Sequence, residues 1–164
     1  MRKNRHSIGR LTVCLTVLLY FTACKKQEID SGYVQANQLL EKINQLRQTG
    51  CNCGSEWQPP VAPLSVNKSL QDAAQLHARD MQLRNYLEHV NPEGISPQER
   101  AEKAGYTGYF RSENIGKGYA SADEVLEAWR NSISHCKAMM DGTAAVAGIG
   151  YSHYYWSVSF GNPF

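Results

Sequence analysis

The chain has 164 residues, 42% of them apolar, with 13 glycines, and this leaves room for one ordinary folded domain behind a short leader. Its formal charge of +2 is misleading, because residues 1–23 hold four of the 17 basic residues and no acid. Without them 13 basic residues face 15 acidic ones, a net charge of about −2, which leaves no basic stripe and argues against a nucleic-acid partner.

The first element is a leader. Residues 1–10 carry Arg2, Lys3, Arg5 and Arg10, and an apolar run of 13 residues follows at 11–23. A helix of that length is too short to span a bilayer, which takes about 20 residues, so the segment reads as a secretory signal. It ends at Phe21-Thr22-Ala23-Cys24, which resembles a bacterial lipobox, with Phe21 where leucine is usual. That resemblance implies cleavage before Cys24, a diacylglycerol on its sulfur and an exported protein held at the cell envelope. The two or more acyl chains of such an anchor suffice for stable attachment. Residues 24–35 then serve as a polar tether, and the folded domain occupies 36–164. Of five cysteines, Cys14 leaves with the leader and Cys24 takes the lipid; Cys51, Cys53 and Cys136 remain. In an oxidising compartment one pair bridges and one thiol is left over. Cys51-Asn52-Cys53 has neither CxxC redox spacing nor a second pair to make a zinc finger.

From residue 31 the stripe Ala36, Leu39, Leu40, Ile43 and Leu46 predicts a helix stopped by Gly50. Pro59, Pro60 and Pro63 make residues 54–63 an extended loop. Asn67 caps a second helix over 68–85, with Leu70, Ala73, Ala74, His77 and Met81 facing inward and His77 read as a hydrogen-bonded core histidine. Ser96-Pro97-Gln98-Glu99 is a capping box with proline at the first helical position, and Gly105 marks the stop. Ser121-Ala122-Asp123-Glu124 is a second capping box, opening a helix over 123–131. A helical turn at 135–140 follows. The period then changes to strands at 145–151 and 154–160, joined at Ser152-His153 as a hairpin. Helices early, strands late and no βαβ alternation predict an α+β domain.

Several strings carry a resemblance. Ala73-Ala74-Gln75-Leu76-His77-Ala78-Arg79-Asp80-Met81 with Tyr86-Leu87-Glu88-His89 is similar to the opening signature of bacterial CAP (SCP-like) domains. Ser96-Pro97 with Arg100, Ala104-Gly105-Tyr106, Glu113-Asn114-Ile115 with Gly118, and Glu124-Val125 with Ala128-Trp129 follow. Asn131-Ser132 with His135, Gly148-Ile149-Gly150, Tyr155-Trp156 and Phe160-Gly161 complete the series. All stand in family order across roughly residues 36–161.

The resemblance implies a three-layer α-β-α sandwich around a central, largely antiparallel sheet. It also implies a cleft where His89, Glu113, Glu124 and His135 converge to hold Zn²⁺ or a similar divalent cation. Two imidazoles with carboxylates suit that ion, and neutral imidazole is needed, so occupancy should fall below about pH 6. Glu124 has a competing role as third residue of its capping box. His135 and Cys136 are adjacent on a helical turn and point about 100° apart, so they make no nucleophilic dyad. Cys53-Gly54 resembles a cysteine-glycine pair in relatives that also carry the His-Cys dipeptide matched by His135-Cys136, which implies a Cys53–Cys136 disulfide, with Cys51, two residues away, as the competing partner. Fold alone does not fix activity. The expected role is an envelope-tethered binding module for a lipid, a cell-wall fragment or a protein; the alternative is a zinc-dependent hydrolase using the same tetrad.

Overall fold

The computed structural model describes residues 32–164; the signal segment, Cys24 and the tether up to residue 31 lie outside the described residues. Helix α1 spans residues 32–49, so the last positions of the expected tether, 32–35, are already helical. Then come β1 (Cys51–Cys53), β2 (Glu56–Gln58), β3 (Ser65–Val66), α2 (Lys68–Arg84), α3 (Pro97–Lys103), β4 (Tyr109–Lys117), α4 (Ala122–Asn131), α5 (Ile133–Met139), β5 (Val146–Ser152) and β6 (Tyr155–Asn162).

The capping residues read from the sequence set the helix starts. Asn67 accepts from the Leu70 amide, Ser121 from the Glu124 amide, and Ser96 and Glu99 bond reciprocally as a full capping box. Helix α2 stops at Asn85, which takes a left-handed conformation (φ 54°) that asparagine tolerates better than most residues.

The main sheet runs β3-β5-β6-β4, with β3 parallel to β5 and every other pair antiparallel, as the α-β-α expectation requires. Strand β4 lies at its edge. The β5–β6 turn is one residue later than expected: Ser152 pairs with Tyr155, and His153 and Tyr154 both have positive φ, the geometry of a two-residue primed turn.

Alternation along β5 and β6 sorts the two faces. Ala147, Ile149, Trp156, Val158 and Phe160 join Leu39 and Ile43 of α1, Val125 and Trp129 of α4 and Met139 of α5 in the largest core. On the other face α2 comes so close that only glycine fits beneath it. A Cβ on Gly148 would lie 2.0 Å from the Leu70 and Gln71 backbone, and one on Gly150 would lie 2.4 Å from Ala74. Helix α3 extends that layer, with Ala101 and Tyr106 packed against Leu70 and Val146.

One connection departs from the expected loops. Residues 51–58, read as loop from Gly54 on, form a small antiparallel hairpin with Cys51 opposite Gln58 and Cys53 opposite Glu56. Cys53 is bonded to Cys136 across 83 residues, while Cys51 is a buried free thiol. Arg47, fully buried on α1, donates to the carbonyls of Ala62, Met139, Asp141 and Ala144. It thereby ties α1 to the loops on either side of the sheet's parallel edge. Burial pulls its pKa down from the usual value, and those four acceptors offset the desolvation.

Candidate functional site

The residues that assemble are centred on Glu113. It sits on β4, and its side chain is only 2% exposed. Both carboxylate oxygens are occupied. Oε1 faces His89 Nδ1 at 2.8 Å; Oε2 accepts from Arg100 at 2.7 Å and from Ser157 at 3.2 Å. An ionised carboxylate only accepts, so His89 Nδ1 carries the proton and the lone pair of the neutral ring lies on Nε2. The hydrogen bond from Glu113 also raises the pKa of His89 above its ordinary value, against partial burial.

Arg100 belongs to the site although its side chain does not meet the imidazole. From α3 it reaches Glu113 and also donates to the carbonyls of His89 (2.8 Å) and Ile95 (3.0 Å). It therefore fixes the backbone that carries His89 as well as the carboxylate that orients it. Neither Arg100 nor Ser157 stood out as a site residue in the sequence. Arg100 lies in the polar string Pro97-Gln98-Glu99-Arg100, and its place in the family pattern was its only signal.

His135 approaches from the other helical layer, on α5, beside the sheet's edge strand. Asn114 Nδ2 holds its carbonyl at 3.1 Å, and its ring lies tilted against Trp129 with centroids 6.1 Å apart. Burial lowers its pKa, and the charge His89 takes on when protonated lowers it further. No hydrogen bond engages its ring nitrogens among the described residues, and this leaves them open to a ligand.

Glu124 is engaged differently. Its Oε2 accepts from the Ala120 amide at 2.8 Å and its own amide donates to Ser121 Oγ at 3.2 Å, which is the work of a helix cap. His77 is buried as expected, Nε2 facing the Glu88 carbonyl at 3.1 Å, but Nδ1 has no partner among the described residues.

The donor set fits a divalent cation only in an open form. His89 Nε2 and His135 offer imidazoles, and Glu113 stands behind His89 as the carboxylate that commonly orients a metal-binding histidine. The four residues do not bring three ligand atoms mutually within 4.8 Å; among the described residues, Cys51, Cys53 and Cys136 are the set that does so.

Beside the ion-paired cluster lies a cavity of about 630 Å³ between α2, α3 and the loop joining them. Its walls include Leu76, Ile95 and Ala104 with Arg84, Arg100 and Lys103, so Arg100 is common to cavity and cluster. Arg84 is already held there by Asp80 and Glu93. This volume falls in the range of small-ligand sites, about 300–1,000 Å³.

A sandwich of two helical layers about a mostly antiparallel sheet, with a histidine–glutamate cluster at its edge strand, defines a CAP-type domain. The model of the cysteine-rich secretory protein family, CAP, matches residues 40–160, and the chain belongs to that family. It is 32% identical over 102 residues to the uncharacterized Bacillus subtilis protein YkwD, covering 61% of this chain and 40% of that protein. It is 27% identical over 123 residues to the uncharacterized membrane protein YlbC of the same organism, covering 75% and 33%. The chain thus spans well under half the length of these relatives. The fold matches an extracellular SCP-domain protein from Bacillus anthracis with a TM-score of 0.75 at 19% identity, covering 84% of this chain and 43% of that one. It also matches an outer surface protein of Borrelia burgdorferi with a TM-score of 0.64 at 21% identity, covering 78% and 92%.

Proposed function

We propose that this CAP domain is exported, tethered to a membrane through lipid on Cys24, and works at the cell envelope as a binding module. The observation that carries the binding role is the cavity of about 630 Å³ sharing Arg100 with the Glu113–His89 pair. Apolar walls with Arg84, Arg100 and Lys103 beside Asp80 and Glu93 suit a lipid, a cell-wall fragment or a protein segment with a polar or anionic group. His89 through Nε2, together with His135, would hold a zinc or similar ion, and that ion would supply a second anchor for such a group.

The hydrolase alternative is weaker for a structural reason. In that reading Glu113 or Glu124 would take a proton from a metal-bound water. Glu113 is committed at both oxygens to His89, Arg100 and Ser157, and Glu124 caps α4. No helix among the described residues is long and apolar enough to cross a membrane.

The test uses the mature domain with fatty-acid, muropeptide and peptide probes, with and without Zn²⁺. Saturable binding lost in Ala104→Trp, which fills the cavity, supports the module. Turnover of ester or peptide substrates that disappears in His135→Ala would replace it with the hydrolase.

A further inference from the structure

The three sulfurs near α5 form a cluster that neither the fold nor the proposed cleft requires. Cys51 and Cys53 occupy alternate positions of β1, with burial pattern buried–exposed–buried, so both side chains face the same way. What they face is Cys136, with Met140 and Val61 closing the nest. One disulfide takes Cys53, yet the free Cys51 Sγ lies 3.7 Å from Cys136 Sγ, and all three sulfurs fall within 4.8 Å of one another. A structural crosslink needs one partner for Cys136. Here two stand in reach of it.

We propose that Cys51 is an alternative disulfide partner of Cys136, so that thiol–disulfide exchange inside this buried nest moves the crosslink between two registers of the Cys51–Cys53 strand. The Cys51 thiolate attacks Cys136 Sγ, forming the Cys51–Cys136 bond as the Cys53–Cys136 bond breaks. Cys53 leaves with the bonding electron pair and takes up the proton that Cys51 gave up. Electrons balance within the chain, so no oxidant or reductant is consumed.

The consequence reaches the proposed cleft. Two positions along a strand are about 6.6 Å apart, and Cys136 directly follows His135 on α5. Lys137, also on α5, is paired with Glu56 of the same hairpin at 2.5 Å. Moving the bond draws Cys51 and Cys136 Sγ from 3.7 Å to bonding distance, which shifts Cys136, and His135 beside it, against the hairpin. Burial pushes the Cys51 thiol up, with Arg130 of α4 acting in the opposite direction, so exchange is slow, on the scale of minutes to hours.

Two measurements test this independently of any ligand. In the Cys53→Ser protein, oxidised in a glutathione buffer, Cys51 and Cys136 should join, lowering the count of titratable thiols by these two with native circular dichroism. In the wild type, refolded from the reduced state and trapped with acid over time, fragmentation mass spectrometry should find both 51–136 and 53–136 crosslinks. A folded Cys53→Ser protein that keeps these two thiols free overturns the proposal. So does a wild type that passes only through the 53–136 species.

Discussion

Glu113→Gln is the perturbation that tests the site's physics most directly. The side chains of Glu113 and Arg100 are 2% and 11% exposed, so their ion pair is screened little by solvent. Breaking a buried pair by neutralising one partner costs about 3–5 kcal/mol, chiefly because the other charge is stranded. Arg100 keeps two carbonyl acceptors, from His89 and Ile95, which places the expected loss near the lower end, about 3 kcal/mol. A glutamine also presents an NH₂ group to donors at one of its two positions, so it cannot serve His89 and Arg100 together. For a domain of this size the shift in Tm should be about 10 °C. Urea unfolding of wild type, Glu113→Gln, Arg100→Met and the double variant gives the coupling directly. The His89 resonance supplies a second reading. Its folded pKa is raised, so its contribution to stability is full below the unfolded value of about 6.5 and is lost as pH rises through the folded value. In Glu113→Gln that pKa should fall. A variant within about 0.5 kcal/mol of wild type, with the His89 titration unmoved, would refute the reasoning.

Zinc calorimetry should find about one equivalent bound at neutral pH, with most affinity lost in His89→Ala or His135→Ala and the fold kept; unchanged binding in the double variant would exclude the site. Because a proton competes for a His89 whose pKa is raised, zinc loss on acidification should begin at higher pH than for a free imidazole. Cys24→Ser should abolish incorporation of labelled palmitate, and labelling that persists would exclude lipid attachment there. Gly148→Ala should destabilise the domain severely or prevent folding, since its Cβ would sit 2.0 Å from the α2 backbone, and a soluble variant with wild-type Tm would contradict that packing.

What the sequence disclosed was whatever announces itself locally. The caps at Asn67, Ser96 and Ser121 satisfy amides within three or four residues, so their chemistry is visible in the string. Strand β4 was not visible. Tyr109–Lys117 mixes Arg111, Ser112, Glu113 and Asn114 with few apolar residues, because an edge strand bordering a polar site lacks the alternation of a half-buried one. The hairpin of β1 and β2 is too short for any period to register, and its turn rests on Gly54 at φ +66°. The β5–β6 turn was displaced by a residue because His153 and Tyr154 occupy positions where glycine or asparagine is the usual cue.

The site divides along the same line. His89 and Glu113, 24 residues apart, touch as the family pattern implied, whereas the cap at Glu124 was legible from its own three neighbours and is what its carboxylate does here. Arg100 shows why a list of candidate ligands understates such a site. Nothing about an arginine on a polar seven-residue helix announces burial. Only after α3 packs on α2 does its guanidinium find the carboxylate, the carbonyl of His89 and the cavity wall at once. The backbone of His89, the carboxylate that sets its tautomer and one wall of the cavity therefore all meet at one side chain. Occupancy of the cavity by an anionic group would compete with Glu113 for Arg100, and loosening that contact would release the restraint on His89. Ligand and cation should consequently report on each other, through a single arginine that neither of them was needed to find.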